Sequence, residues 1–264
     1  MHVRALILRA PGINRDRDAA LACELAGATP ERIHINQLAG GAVRLADYGM
    51  LLIPGGFSYG DHLGAGRLLA IDLVHRLGEA LHRFVEDGRP VIGICNGFQV
   101  LVKAGLLPGC LAEPDCAPAV TLTDNASERF ECRWVTLEAN PGTRCPFARD
   151  LTRPIEVPVA HGEGRIALRD EATLALLEAQ GLIALRYTTA IGDDQAISYP
   201  ANPNGSVGHI AGLCNAQGNV LGLMPHPENA VLPQQHPRWT REEARDEGDG
   251  LLLFRNAVRY AAAL

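Results

Sequence analysis

The stretch that most restricts the fold is Val91-Ile92-Gly93-Ile94-Cys95-Asn96-Gly97-Phe98-Gln99. An unbroken apolar run, 91–94, reads as a strand buried on both faces. A helical pattern over 96–104 follows with no loop residues between, and Gly105 ends it. A strand that passes directly into a helix commits this part of the chain to a β-α unit, and hence to a parallel sheet.

The rest of the first half repeats that grammar. Residues 3–8 are a second apolar run, broken only by Arg4, 32–35 a short strand, and 50–54 a strand running into Gly55-Gly56. A helix is expected from a cap at Asn14 or Asp16 through Ala26. Another is expected over 67–85, with Ala70, Leu73, Leu77, Leu81 and Phe84 on one stripe. The second half looks antiparallel. Residues 132–137 and 155–160 are strand-like, 174–180 a short helix, and 209–214 with 220–224 a hairpin around Asn215-Ala216-Gln217-Gly218-Asn219. Residues 232–250, rich in Pro, Arg, Glu and Gly, read as exposed loop before a closing helix at 251–264. With no linker and no repeat, residues 1–264 read as one domain.

Composition removes several classes of function. Net charge is −6, and no basic stripe is present to neutralise phosphates, which argues against nucleic-acid binding. No run nears the roughly 18 apolar residues of a membrane span. The opening stretch, basic then apolar and broken at Arg9, reads as a first strand and not as a signal peptide. Seven cysteines without a C-x-x-C pair argue against a disulfide framework or a zinc ribbon, and for the cytoplasm. The chain has one lysine, Lys103, followed by Ala104, so it carries no P-loop.

Gly93-Ile94-Cys95-Asn96-Gly97 is the cysteine form of a nucleophile elbow. The glycines permit a sharp turn, and the helix N-terminus favours thiolate at Cys95. Taken alone, it could equally be a buried cysteine in an ordinary turn. Met224-Pro225-His226-Pro227-Glu228 shifts that balance. In extended backbone, residues i and i+2 point the same way, so His226 and Glu228 can face one site. The two prolines stiffen the segment that aims the imidazole. Nucleophile, base and acid would then be Cys95, His226 and Glu228.

Gly-x-Cys-x-Gly-x-Gln together with Pro-His-Pro-Glu resembles class I, triad-type glutamine amidotransferases. Further segments narrow the likeness to the glutaminase subunits of phosphoribosylformylglycinamidine synthases. These are Pro11-Gly12-Ile13-Asn14-Arg15-Asp16, Pro54-Gly55-Gly56-Phe57-Ser58-Tyr59-Gly60-Asp61, Ala160-His161-Gly162-Glu163-Gly164-Arg165 and Asn202-Pro203-Asn204-Gly205-Ser206. The resemblance implies a flavodoxin-like α/β fold, with a mostly parallel sheet flanked by helices and an antiparallel extension. It implies that Cys95 forms a γ-glutamyl thioester, that His226 moves the protons and that Glu228 holds His226. Backbone N–H groups at Gly56, Phe57 and Asn96 would form the oxyanion hole. Gly55, Gln99, His161, Gly162 and Glu163 would line the glutamine pocket. No metal or cofactor is expected in this chain; ATP and magnesium would be used by a partner synthetase, with a small third subunit bridging the two.

The sequence departs from that pattern at Asn229, where the family usually has Arg after the triad Glu, and at residues 62–67. Extra length lies around residues 110–129 and 231–250. Asp61 and His62 read as solvated. The rival readings are a Cys-dependent hydrolase or peptidase of the same fold, and a non-catalytic regulatory subunit.

Overall fold

A computed structural model describes residues 2–111, 117–189, 196–241 and 245–264. In chain order the elements are β1 (Arg4–Arg9), α1 (Asp16–Leu25), β2 (Thr29–His34), α2 (Ile35–Ala39), β3 (Met50–Ile53), α3 (Arg67–Glu86), β4 (Val91–Ile94) and α4 (Asn96–Lys103). There follow β5 (Val120–Thr123), β6 (Glu131–Ala139), α5 (Pro146–Arg149), β7 (Ile155–His161), β8 (Arg165–Leu168) and α6 (Glu171–Ala179). The last are β9 (Ile183–Thr188), β10 (Ile210–Cys214), β11 (Val220–Leu223) and α7 (Leu251–Ala262).

Nine strands form one sheet in the order β2-β1-β3-β4-β11-β10-β9-β6-β7. The first five are parallel, in the flavodoxin-like order expected of a doubly wound sheet. β10, β9, β6 and β7 extend it antiparallel. The mostly parallel sheet with an antiparallel extension is therefore present. β3 and β4 have every residue buried, as unbroken apolar runs require. All five residues of the α3 stripe are buried. α1 packs with α7, and α7 with α5, while α3 packs with α2 and α4. By the right-handed rule for β-α-β crossovers, α1 and α3 belong on opposite faces of the sheet.

Three local expectations are corrected. Neither Asn14 nor Asp16 caps α1: Arg15 is its N-cap, and Asp16 is buried as the first helical residue, paired with Arg9 at 3.1 Å and Arg32 at 3.2 Å. β2 starts earlier than expected and contains Pro30, which an edge strand tolerates. The described part of residues 232–250 is not simply an exposed loop. Asp249 is buried, ion-paired with Arg153 at 2.6 Å and Arg245 at 3.0 Å, and it accepts the Glu156 N–H of the outermost strand β7 at 3.0 Å. That segment thus covers part of an open sheet edge. Five of the described cysteines are free, whereas Cys110 is disulfide-bonded.

Candidate active site

β4 and β11 are parallel neighbours, with Gly93 opposite Gly222 and Ile94 opposite Leu223. Both strands end at the same edge of the sheet, the edge where doubly wound folds place their ligands. Cys95 follows β4 at once. Its N–H still donates to Leu223 O at 2.8 Å, and then the backbone turns sharply, with Cys95 at φ 51° and ψ −105°. A left-handed conformation on a non-glycine residue costs about 1–3 kcal/mol and marks a site where position matters more than strain. The neighbouring glycines make the turn possible. A Cβ on Gly97 would sit 1.9 Å from Ile53 O, and one on Gly93 would sit 2.6 Å from Gly97 O. Gly97→Ala is accordingly expected to destabilise the fold by about 3 kcal/mol, read as a lowered urea midpoint. A midpoint equal to wild type would mean that this strand–helix approach is loose.

His226 and Glu228 leave β11 two residues apart and converge. His226 Nδ1 lies 2.7 Å from Glu228 Oε1, and both side chains are buried. The His226 N–H donates to Pro158 O at 2.8 Å, which ties the segment to β7. A Cβ on Gly55 would lie 2.8 Å from His226 Cε1 and 3.5 Å from Cys95 Cβ, so imidazole and cysteine are direct neighbours across a glycine that must lack a side chain. Burial by itself would lower the His226 pKa. The Glu228 carboxylate and the Cys95 side chain more than offset it, and the pKa is pushed up to about 10. The pair is built to carry an imidazolium beside sulfur.

Beside Cys95 opens a cavity of about 250 Å³ bordered by Gly56, Phe57, Asp61, Gln99, His161, Gly162 and Glu163. Gln99 is buried; its Nε2 donates to Glu163 O at 2.6 Å and its Oε1 accepts from Asn96 Nδ2 at 3.0 Å. Asn96 Oδ1 accepts the Ser58 N–H at 3.1 Å, and Glu163 Oε2 accepts the Ala65 N–H at 3.4 Å. One polar network therefore joins the elbow to the loops after β3 and β7. Asp61 belongs to it, receiving Asn96 Nδ2 at 3.4 Å, and is not simply solvated. Burial and Glu163 raise the Asp61 pKa. Lys103 Nζ reaches Ala65 O at 2.5 Å; burial lowers its pKa against the pull of Glu163 and Asp61.

The oxyanion donors named from the sequence are only partly available. Asn96 is the first residue of α4, where a backbone N–H has no partner within the helix. The Phe57 N–H instead donates to Gly12 O at 2.9 Å. Gly56 is held at φ +146° against the same loop, where a Cβ would meet Gly12 O at 2.6 Å. The loop following β1 thus binds the peptide that was expected to face Cys95.

Two further residues escaped sequence reading. Asn125 is buried; its N–H donates to Gly162 O, and its side chain holds both His161 and Gly164. Asn204, in the motif near residue 204, braces the same turn through Gly164 O at 2.8 Å. Asn204 lies in the Asn202–Ser206 motif and Asn125 in the longer segment around residues 110–129, and neither local pattern signals a contact with the turn after β7. Among the described residues no group of three or more His, Cys, Asp or Glu could hold a metal. None of the described helices is long and apolar enough to cross a membrane.

A family model described as a CobB/CobQ-like glutamine amidotransferase domain matches residues 2–261. The chain belongs to this family. This glutamine amidotransferase is 46% identical over 259 residues to phosphoribosylformylglycinamidine synthase subunit PurQ of Dehalococcoides mccartyi, covering 98% of each chain. It is 50% identical over 274 residues to subunit PurQ of Treponema denticola, covering 98% of this chain and 99% of the relative. It also matches a chain of the PurLQS structure from Thermotoga maritima, with TM-score 0.71 and 33% identity over 98% of this chain and 99% of that one. The amidotransferase resemblance read from the motifs holds, down to the PurQ subunits.

Proposed function

We propose that this amidotransferase works as a single domain, residues 1–264, and is the glutaminase subunit of a phosphoribosylformylglycinamidine synthase. It hydrolyses glutamine to glutamate and ammonia. The ammonia serves the ATP-dependent conversion of formylglycinamide ribonucleotide to formylglycinamidine ribonucleotide in purine synthesis, in the cytoplasm. The Thermotoga relative is part of a PurLQS assembly. By analogy, the partners are a synthetase subunit, which uses ATP and magnesium, and a small third subunit that bridges the two. The observation that carries the reading is an elbow cysteine beside an imidazole that is itself paired with a buried carboxylate, at the floor of a polar cavity.

The chemistry follows from that arrangement. Cys95 sulfur attacks the side-chain carbonyl carbon of glutamine; the C–S bond forms and negative charge moves to oxygen. The Asn96 N–H, and a second donor from the Gly56–Phe57 peptide once it is freed, receive the oxyanion. Imidazolium His226 gives its proton to the leaving nitrogen, the C–N bond breaks and ammonia departs. Water, deprotonated by His226, then attacks the thioester and releases glutamate. Glu228 keeps His226 in the orientation and tautomer that both proton transfers need. Gly55, Gln99, Gly162 and Glu163 shape the glutamine pocket.

A glutamine-like diazo ketone is expected to alkylate Cys95 alone. Burial pushes the thiols of Cys23 and Cys214 up to about 12 and about 11, and that of Cys145 higher still. Exposed Cys132 is the control: a small unspecific alkylator reaches it, whereas the glutamine analogue, recognised only in the pocket, does not. Peptide mapping by mass spectrometry reads the result. Equal labelling of Cys95 and Cys132 by the analogue would remove the case for a glutamine site at the elbow.

A further inference from the structure

His161, the second imidazole at the cavity, does not share the triad's chemistry. Its Nδ1 lies 3.0 Å from Asn125 Oδ1. The orientation of the Asn125 amide is not free. Its Nδ2 donates to two backbone carbonyls, Arg129 O and His161 O, each at 2.8 Å, and its Oδ1 accepts the Gly164 N–H at 3.0 Å. Turning the amide over would set oxygen against two carbonyls and NH₂ against an N–H. The atom facing Nδ1 is therefore an acceptor, and Nδ1 must carry the proton. In a neutral ring this leaves Nε2 with a bare lone pair. Nε2 is buried and has no partner among the described residues, and the side chain borders the cavity it shares with Cys95. The Nδ1 edge is packed against Gly164, where a Cβ would come within 2.4 Å, so Nε2 is on the ring edge away from that turn.

We propose that Asn125 is a positioning residue that locks His161 as the neutral Nδ1–H tautomer, so that His161 Nε2 accepts an N–H of the glutamine carboxamide. This inference rests on the glutaminase reading above and adds to it a device for telling substrate from product. Glutamine offers two N–H donors at the reacting group, whereas glutamate at neutral pH offers only lone pairs there. A bare, buried acceptor binds the first and repels the second. The same bond orients the leaving nitrogen. With one N–H held by His161, the nitrogen lone pair can turn towards the proton on His226.

The charged groups on neighbouring elements do not force a second proton onto the ring. Cys95 borders the same cavity, and His226, buried next to it, is paired with Glu228. Glu131, opposite His161 on β6, is engaged by Arg133 at 2.8 Å and Ser127 at 2.8 Å. Glu163 and Arg165 sit on the following turn and strand, with Glu163 bound to the Ala65 N–H. Burial, then the proximity of His226, lowers the His161 pKa to about 4.

The test has two arms. Imidazole nitrogen NMR of the full chain, with the His161 signal assigned by its loss in His161→Gln, should show an Nδ1-protonated neutral ring between about pH 6 and pH 9. An Nε2-protonated ring, or titration within that range, overturns the proposal. In the assembled complex, Asn125→Asp gives up the two Nδ2 bonds to Arg129 O and His161 O but sets a carboxylate on Nδ1, stabilises imidazolium and turns Nε2 into a donor. Near pH 6, kcat/KM for glutamine should fall about tenfold and inhibition by glutamate should tighten about tenfold, with both effects reversing as pH rises. Rates are normalised to ammonium-dependent synthesis by the same preparation, which reports assembly. Parallel weakening of glutamine and glutamate with no pH dependence would assign Asn125 a purely structural role and overturn the proposal. A wild-type complex that releases no glutamate would instead overturn the glutaminase reading, while the NMR arm still decides the tautomer.

Discussion

Cys95→Ser is expected to reduce glutamine-dependent synthesis by the assembled complex by about 10⁴-fold or more, while synthesis from added ammonium salt continues. The mutation is nearly isosteric, so the turn at φ 51° and the packing of α4 should persist. What changes is the nucleophile. A serine hydroxyl is far less acidic than a thiol and less nucleophilic at neutral pH. The His226 imidazole, held cationic by Glu228 and the cysteine sulfur, loses the partner that its raised pKa depends on. Retention of ammonium-dependent synthesis separates lost chemistry from lost assembly, because the synthetase reaction occurs on another chain. Near-wild-type use of glutamine by Cys95→Ser would mean that another cysteine is the nucleophile.

The second large effect is expected without any mutation. The isolated chain should release glutamate about 10²–10³-fold more slowly than the complete complex, the loss associated with one missing oxyanion donor. Here the missing donor has a name: the Phe57 N–H is bound to Gly12 O at 2.9 Å, and Gly56 is wedged against the same loop. Rotating that peptide towards Cys95 breaks this bond and requires the loop after β1 to give way. A binding partner that favours the rotated form can supply the difference, since a ligand shifts a conformational equilibrium only by its differential affinity for the two states. The arrangement also suits the task. Free ammonia is mostly protonated near neutral pH, so a site that fires only when a partner is docked avoids wasting glutamine. Steady-state glutamate release by the chain alone, then with synthetase, third subunit, nucleotide and formylglycinamide ribonucleotide, measures the ratio. Equal rates would show that the Phe57–Gly12 bond does not limit turnover.

Much of this molecule is legible from local pattern. The apolar runs at β1, β3 and β4, the stripe on α3 and the hairpin of β10 with β11 follow from period and turn chemistry. The pattern omits β5, β8 and β9. β5 and β8 are four residues each, partly exposed, and pair only with one another, so neither has the sustained alternation that marks a strand by itself. β9 follows α6 after only three residues, and its start is set by pairing with β6 and β10 rather than by a turn signal. The polar composition of residues 232–250 reads as exposed, yet Asp249 is buried because two arginines and a strand N–H satisfy its carboxylate.

The sequence by itself determined that Cys95 stands at an abrupt strand-to-helix junction and that His226 and Glu228 project together from a proline-stiffened segment. Both are properties of a few adjacent residues, whose backbone options glycine and proline restrict directly. Only the tertiary structure decided that those two segments leave neighbouring parallel strands at one edge, with Gly55 against both the imidazole and Cys95 Cβ. It alone decided that Phe57 turns its N–H to Gly12, and that Asn125 sets the proton on His161 from 36 positions away in the chain. Such hydrogen bonds join residues distant in sequence. Their partners are chosen by how the whole core packs and by the cost of leaving any buried polar group unpaired, and neither is written in a local pattern.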